Sequence, residues 1–159
     1  MNALTGGLKL HSEAVQDIWL DAYGHLNEAY YLVPFSNATW ALQEHFAIGV
    51  PYFERTGAAI YSVESHVRYL KEVRAPAMMD IFSFVLGLDA KRLHIAHVMS
   101  VDGVQRATFE CLGLHFDTRA GKTAAMPADV QEALRAASVP VLPDWAGRSV
   151  SLLPQNPTP

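Results

Sequence analysis

The segment from Trp19 to Tyr31, WLDAYGHLNEAYY, contains the residues whose types and spacing best suit chemistry. Asp21 offers a carboxylate, Gly24 permits a tight turn, and Asn27 can cap a helix that begins there. A carboxylate held beside the first free N–H groups of a helix lies where a carbonyl can be polarised and attacked. It can act on water as a general base or attack as a nucleophile, so the pattern indicates acyl transfer.

The same residues also fit a plainer interpretation. An aspartate followed by glycine and asparagine is common in loops, where the carboxylate only caps a turn. Spacing alone leaves both interpretations open.

The elements around this segment follow from the polarity pattern. We predict a strand over residues 8–20 and a helix over residues 27–47, in which Pro34 ends a first turn and starts the main helix. A short helix is expected near residues 127–137. Alternating polarity, with tight turns at 89–91 and at Asp102-Gly103, predicts four further strands, at 58–70, 78–88, 91–101 and 104–117.

This order indicates an α+β domain over residues 1–139, with an extended or disordered tail over 140–159. One long helix cannot cover both faces of a five-stranded sheet. We therefore expect the sheet to wrap around the helix and its free edge to need a partner.

Length, net charge and cysteine content exclude several classes of function. The 159 residues fit one domain, and the net charge of −4 argues against a general nucleic-acid binder. The single cysteine, Cys111, excludes an internal disulfide. With no secretory signal pattern and no apolar run long enough for a membrane helix, we expect a soluble, cytoplasmic protein without membrane contacts.

Three blocks carry a resemblance to a known family. The run D-x-x-G-H-x-N-x-x-x-Y from Asp21 to Tyr31 resembles the signature of hotdog thioesterases related to 4-hydroxybenzoyl-CoA thioesterase. VESHVRYL at 63–70 and DAKRLH at 89–94 resemble the strand after the helix and the hairpin before the fourth strand. The resemblance covers residues 8–120 and implies the hotdog fold, an antiparallel sheet of five to six strands wrapped around a long central helix.

The resemblance also implies a catalytic apparatus. Asp21 would be the catalytic carboxylate, and the backbone N–H groups around Asn27 and Glu28 would polarise the thioester carbonyl. His25 and Asn27 would order the turn or position water. The substrate would be an acyl-CoA, with no further cofactor and no metal, and the site would lie at the interface of a homodimer or of a dimer of dimers.

A narrower similarity points to the thioesterases of carnitine and betaine breakdown, which are assigned to betainyl-CoA. It rests on GHL followed by AYYL, on Phe35-Ser-x-Ala-Thr39, on Tyr61-x-Val-Glu-x-His66, and on Leu88-Asp-x-Lys-Arg-Leu-His94. It implies a small acyl group with a quaternary ammonium.

Two sets of residues are candidates for binding such an acyl group. Glu64 and His66 share one strand face, which either lines the pocket or is a solvated or subunit-contacting face. Tyr23, Tyr31 and Trp40 either pack around the helix or form an aromatic cage, which would hold the cation by cation–π attraction.

For the other end of the substrate, the candidates are Lys91, Arg92, Arg119 and Lys122, with Arg92 and Lys91 foremost. They would bind the phosphates of coenzyme A, or only keep a hairpin soluble.

Other chemistries find less support. His94 and His97 are three apart on one strand and should face opposite sides, so they do not suggest a metal site. We predict that Cys111 is a small buried residue and not a nucleophile. Two alternative functions remain: a hotdog enoyl-thioester hydratase or dehydratase, although its Asp-x-Asn-Pro-x-His block is absent, and a non-catalytic acyl-CoA-binding hotdog protein.

Overall fold

The computed structural model describes residues 6–147, which form one curled antiparallel sheet around a central helix. The spatial order of the strands is β1-β3-β4-β5-β2, and β6 pairs with the end of β5. The strands are β1 (Leu8–Ala14), β2 (Ala58–Tyr69), β3 (Met78–Leu88), β4 (Arg92–Val101), β5 (Val104–Asp117) and β6 (Lys122–Thr123). The helices are α1 (Leu32–His45), α2 (Val50–Thr56) and α3 (Ala128–Ala136), with 3-10 turns at Asp17–Trp19 and Glu28–Tyr31.

The inner face of the sheet packs on α1. Phe35, Ala38 and Leu42 follow the three-to-four spacing of one helix face and are fully buried. The α+β hotdog architecture expected from the sequence is therefore confirmed, with six strands. Within the described residues, no helix is long and apolar enough to cross a membrane.

A buried histidine links α1 to this inner face. Thr39 donates to the carbonyl of Phe35, and its hydroxyl lies 2.9 Å from His97 Nε2, while Ser83 Oγ lies 2.9 Å from Nδ1. Both ring nitrogens are thus satisfied by hydroxyl groups. Burial, with a smaller contribution from nearby His11, lowers the pKa of His97 to about 3, so the ring is neutral near pH 7.

The outer face of the sheet carries its own small cluster. Phe84, Leu86, Ala96 and Val98 are buried there, and Val139, Trp145 and Ala146 pack on them. Beside them, the Glu110 carboxylate is 1% exposed and lies 2.7 Å from His94 Nε2, and it accepts the Gly147 N–H at 2.6 Å. His94 and His97 do face opposite sides of the sheet, as predicted.

β2 forms one edge of the sheet and is irregular. Its register with β5 shifts between Ser62 and Glu64, so Val63 is an inserted residue. Because of this bulge, Ile60 and Ser62 before it and Val67 after it all face α1.

Several expectations were wrong in detail. The first strand ends at Ala14 instead of residue 20, because the chain leaves the sheet to bury Trp19 from a 3-10 turn. The α-helix proper begins at Leu32, after a separate 3-10 turn. Helix α2 was not predicted. The described part of the predicted tail, 140–147, has no helix or strand and packs on the outer face, and residues 148–159 lie outside the described residues.

Candidate active site

The Asp21 carboxylate organises the turn that follows it. Its Oδ1 accepts the N–H groups of Tyr23 at 2.8 Å and His25 at 3.2 Å. The backbone closes the same turn, with Asp21 N–H donating to the His25 carbonyl and Gly24 N–H to the Asp21 carbonyl. Gly24 has φ +74°, a conformation that glycine adopts without a steric penalty. Within the described residues, no hydrogen bond engages the second oxygen, Oδ2.

The next residues start the helical segment. The Asn27 side chain accepts the Ala29 N–H at 3.0 Å and so caps the 3-10 turn that precedes α1. The Glu28 N–H lies before the first helical hydrogen bond and donates to no acceptor among the described residues. A polarised donor and a carboxylate oxygen are therefore both available in this region.

The loop after β2 holds this turn in place. Leu26 N–H donates to the Val73 carbonyl at 2.8 Å. His25 Nε2 lies 2.9 Å from Glu72 Oε2, and Arg74 contacts both side chains, with its Nε 3.0 Å from Glu72 Oε1. The Arg74 hydrogen bond is the main reason that the pKa of Glu72 lies below its usual value.

An open cleft lies between the Asp21 turn and the loop after β2. Five of the residues predicted for the site line it together: Asp21, His25, Asn27, Glu28 and Tyr31. The opposite wall is formed by Tyr69, Leu70, Lys71 and Glu72.

The wall from Tyr69 to Glu72 was missed at the sequence level. Nothing in the pattern of residues 69–72 distinguishes this wall from an ordinary strand end. Its position depends on how the loop folds back to meet Leu26.

The aromatic residues do not form a cage around Asp21 within the chain. Tyr23 is 80% exposed, and Trp40 lies on α1 outside the residues lining the cleft. Tyr31 lines the cleft, but its ring packs edge-on against Tyr69 at a centroid distance of 5.0 Å. Burial is the main reason that the pKa of each of these two phenols is raised, so both stay protonated near neutral pH.

Four other candidates lie away from the cleft. Glu64 and His66 pair with Leu112 and Glu110 and share the sheet face opposite α1. Lys91 and Arg92 lie in the hairpin at the far end of the sheet, where Arg92 is level with Leu114 and Tyr61. Because the eight residues of β2 from Tyr61 to Tyr69 span about 26 Å, Arg92 and Asp21 do not meet within one chain.

Arg92 is also engaged locally. Its Nε donates to Asp89 Oδ2 at 2.6 Å, and the Lys91 and Arg92 N–H groups donate to Asp89 Oδ1. The Arg92 side chain nevertheless remains 40% exposed, so its other donors can reach solvent.

Metal and thiol chemistry find no support in this geometry. Among residues 6–147, no cluster of three or more His, Cys, Asp or Glu side chains could hold a metal ion. Cys111 is buried, and burial raises the pKa of its thiol, which disfavours the thiolate.

Comparison with known families places the chain. The model of the Thioesterase-like superfamily matches residues 15–134. The chain belongs to this family.

Two curated relatives illustrate its range. An L-carnitine dehydrogenase/betainyl-CoA thioesterase of Agrobacterium fabrum is 39% identical over 147 residues, which cover 90% of this chain and 30% of that protein. A betainyl-CoA thioesterase of Pseudomonas aeruginosa is 34% identical over 143 residues, covering 86% of this chain and 89% of the relative. The chain thus spans less than a third of the first relative and most of the second.

Solved structures agree with the fold. A hypothetical protein of Staphylococcus aureus, solved in complex with CoA, superposes with a TM-score of 0.80 at 18% identity, covering 92% of this chain and 97% of that one. A putative thioesterase of Pseudomonas putida KT2440 gives a TM-score of 0.75 at 28% identity with the same coverage.

Proposed function

We propose that this protein hydrolyses an acyl-CoA thioester, with Asp21 as the catalytic carboxylate. The observation that carries the proposal is the difference between the two oxygens of that carboxylate. Oδ1 is fixed by two N–H groups, while Oδ2 has no partner among the described residues and belongs to a residue that lines the cleft. A carboxylate that only capped the turn would not need to face a cleft beside an unpaired helix-start N–H.

The reaction uses both groups. The thioester oxygen accepts the Glu28 N–H, which polarises the carbonyl and stabilises the oxyanion that forms on attack. Asp21 either takes a proton from the attacking water or adds to the carbonyl carbon itself, forming an anhydride that water then opens. Collapse of the adduct breaks the C–S bond. The CoA sulfur leaves as thiolate and is protonated, and the acyl group leaves as its acid.

A homodimer would complete the site. β2 is a long sheet edge whose middle residues are exposed, including Tyr61 and Val63, and such an edge favours pairing. If two β2 edges pair antiparallel around their midpoint, the 58–61 end of one lies beside the Tyr69 end of the other. The Lys91–Arg92 hairpin of one protomer then flanks the Asp21 cleft of its partner, where it can bind the CoA phosphates.

The names of the curated relatives suggest the acyl group. The two curated relatives described above carry betainyl-CoA thioesterase in their names. We therefore propose betainyl-CoA, a small acyl-CoA with a quaternary ammonium, as the substrate.

The test is thiol release from betainyl-CoA by wild type and by Asp21→Asn. The amide keeps the shape of the side chain but is neither a base nor an effective nucleophile, so the rate should fall at least about 100-fold. Asp117→Asn is the matched control, because Asp117 Oδ1 also accepts two turn N–H groups, those of Arg119 and Ala120.

The control should release thiol at the wild-type rate. Equal rates for wild type and Asp21→Asn, with equal melting temperatures, would remove Asp21 from the chemistry. An equal loss in both variants would instead point to damaged turns.

A further inference from the structure

A second opening lies on the side of α1 that faces β2. We call it the α1–β2 groove, and it is lined by Ser36, Trp40, Gln43, Ile60, Ser62 and Phe109, among others. Its floor continues into the apolar interior, where Leu42, Ile95 and Cys111 lie. No residue that lines the groove is charged.

Most polar groups in the floor are already engaged. The Thr39 hydroxyl donates to the Phe35 carbonyl and lies 2.9 Å from His97 Nε2. The Ser62 hydroxyl hydrogen-bonds the Cys111 thiol.

Gln43 differs from these groups. It is 6% exposed and lines both the groove and the interior pocket, yet its side-chain amide makes no hydrogen bond with the described residues. The Gln43 side chain is thus more than nine-tenths buried, and its amide, which no described residue satisfies, is left for a ligand in the groove.

Two aromatic rings share the groove with this amide. Phe109 is fixed by stacking on Phe35 and His97 at centroid distances of 5.2 and 5.6 Å. Trp40 is half-exposed and lines the same groove from α1. A quaternary ammonium has no N–H to donate. It binds to ring faces and to the oxygen end of neutral amides and needs no carboxylate partner.

The groove runs along α1 from Leu32, next to the Asp21 cleft, to Gln43, and Gln43 lies at the end far from that cleft. Gln43 is 11 residues beyond Leu32, about 16 Å along the helix axis, which exceeds the reach of a two-carbon acyl group. Antiparallel pairing of two β2 edges removes this separation. It places Ile60 of one protomer, which lines the groove, opposite Val67 of the other, two residues from the cleft residue Tyr69.

We infer that the α1–β2 groove binds the quaternary ammonium of the acyl group and that Gln43 is a specificity-determining residue. The inference rests on the proposed function, since it assigns the acyl end of the same substrate to the second protomer. The Gln43 amide oxygen and the Trp40 and Phe109 rings surround the trimethylammonium group, while the thioester carbonyl lies beside Asp21.

The experiment compares betainyl-CoA with 3,3-dimethylbutyryl-CoA, its neutral isostere in which carbon replaces nitrogen. Gln43→Leu keeps the side-chain volume and removes the amide dipole. We expect kcat/KM for betainyl-CoA to fall about 10-fold and that for the neutral isostere to stay level or rise. Gln43→Met, with a melting curve for each variant, serves as a second substitution should the leucine disturb packing.

The outcomes separate the two proposals. Suppose that wild type hydrolyses betainyl-CoA but that kcat/KM in both Gln43 variants falls equally for the two substrates, or falls for neither. Gln43 then does not distinguish the charged acyl group from the neutral one, and this inference fails while the proposed function stands. If wild type releases no thiol from either substrate, the proposed function fails first.

Discussion

Asp21 and Asp89 each cap a turn, at opposite ends of the sheet. In each, Oδ1 accepts two backbone N–H groups: Tyr23 and His25 for Asp21, and Lys91 and Arg92 for Asp89. They differ at Oδ2. In Asp89 this oxygen accepts Arg92 Nε at 2.6 Å, whereas in Asp21 it has no partner among the described residues.

The difference teaches that capping a turn and doing chemistry are not exclusive roles for one aspartate. Both carboxylates satisfy the local backbone, so turn geometry alone cannot distinguish them. The second oxygen distinguishes them. Oδ2 of Asp89 pairs with an arginine, whereas Oδ2 of Asp21 belongs to a residue that lines a cleft with an unpaired N–H at the helix start.

Lengthening the two side chains should have the largest unequal effect. Asp21→Glu moves the carboxylate by about 1 Å, and a displacement of that size can cost about 100-fold in kcat. Asp89→Glu should leave kcat for betainyl-CoA within about twofold, because that oxygen pairs with Arg92 and not with substrate. Steady-state kinetics of both variants would test this, and a similar kcat loss in the two would erase the distinction.

A smaller effect is expected on binding. If Arg92 reaches the CoA phosphates of the second protomer, Arg92→Ala should raise KM for the acyl-CoA roughly 3- to 10-fold with kcat unchanged, because a charge-assisted hydrogen bond is lost. The corresponding N-acetylcysteamine thioester lacks the nucleotide and should show no change in KM. Arg135→Ala on α3 is the matched arginine control, and a change in KM for the truncated substrate would contradict the assignment.

The smallest effect concerns stability against pH. Burial alone would raise the pKa of Asp89, but hydrogen bonds from the Lys91 and Arg92 N–H groups and the Arg92 guanidinium outweigh it and hold the pKa below its usual value. A carboxylate whose pKa is lower in the folded state stabilises the fold at pH values above the unfolded pKa of about 3.9. This stabilisation is lost as the pH falls through the folded pKa.

Asp89→Asn should therefore reduce the free energy of unfolding at pH 7 by less than about 1 kcal/mol, since the partly exposed pair is screened by solvent. The gap from wild type should close as the pH falls below 4. Urea titrations at pH 7 and pH 3 would measure both values. A gap that stays constant would mean that the carboxylate charge is not responsible.

Much of the fold was predictable because it follows from local patterns. The Asp102-Gly103 turn joins β4 to β5 as predicted, and alternation gave β3, β4 and β5 nearly to the residue. The grouping of Asp21, Asn27 and Glu28 was also predictable, since it spans only eight residues around one turn. These features depend on neighbours in the sequence.

The rest depends on contacts between distant segments. Trp40 and Gln43 look like ordinary residues of an amphipathic helix, and only the packed strand β2 shows that they line a groove. Likewise, no pattern at residues 69–72 predicts that this loop forms the wall opposite Asp21. The one-residue bulge at Val63 changes which side of β2 faces α1, and alternation alone misses it.

The segment after α3 has a consequence for how this protein can be shortened or joined to others. Although residues 139–147 form no helix or strand, Trp145 covers apolar side chains of the outer face and Gly147 donates to the buried Glu110 carboxylate. These residues therefore belong to the folding unit. A boundary drawn after α3 would leave an acid and four apolar side chains bare on an open sheet, a surface suited to aggregation. A partner fused at the C-terminal side would have to be attached beyond Gly147.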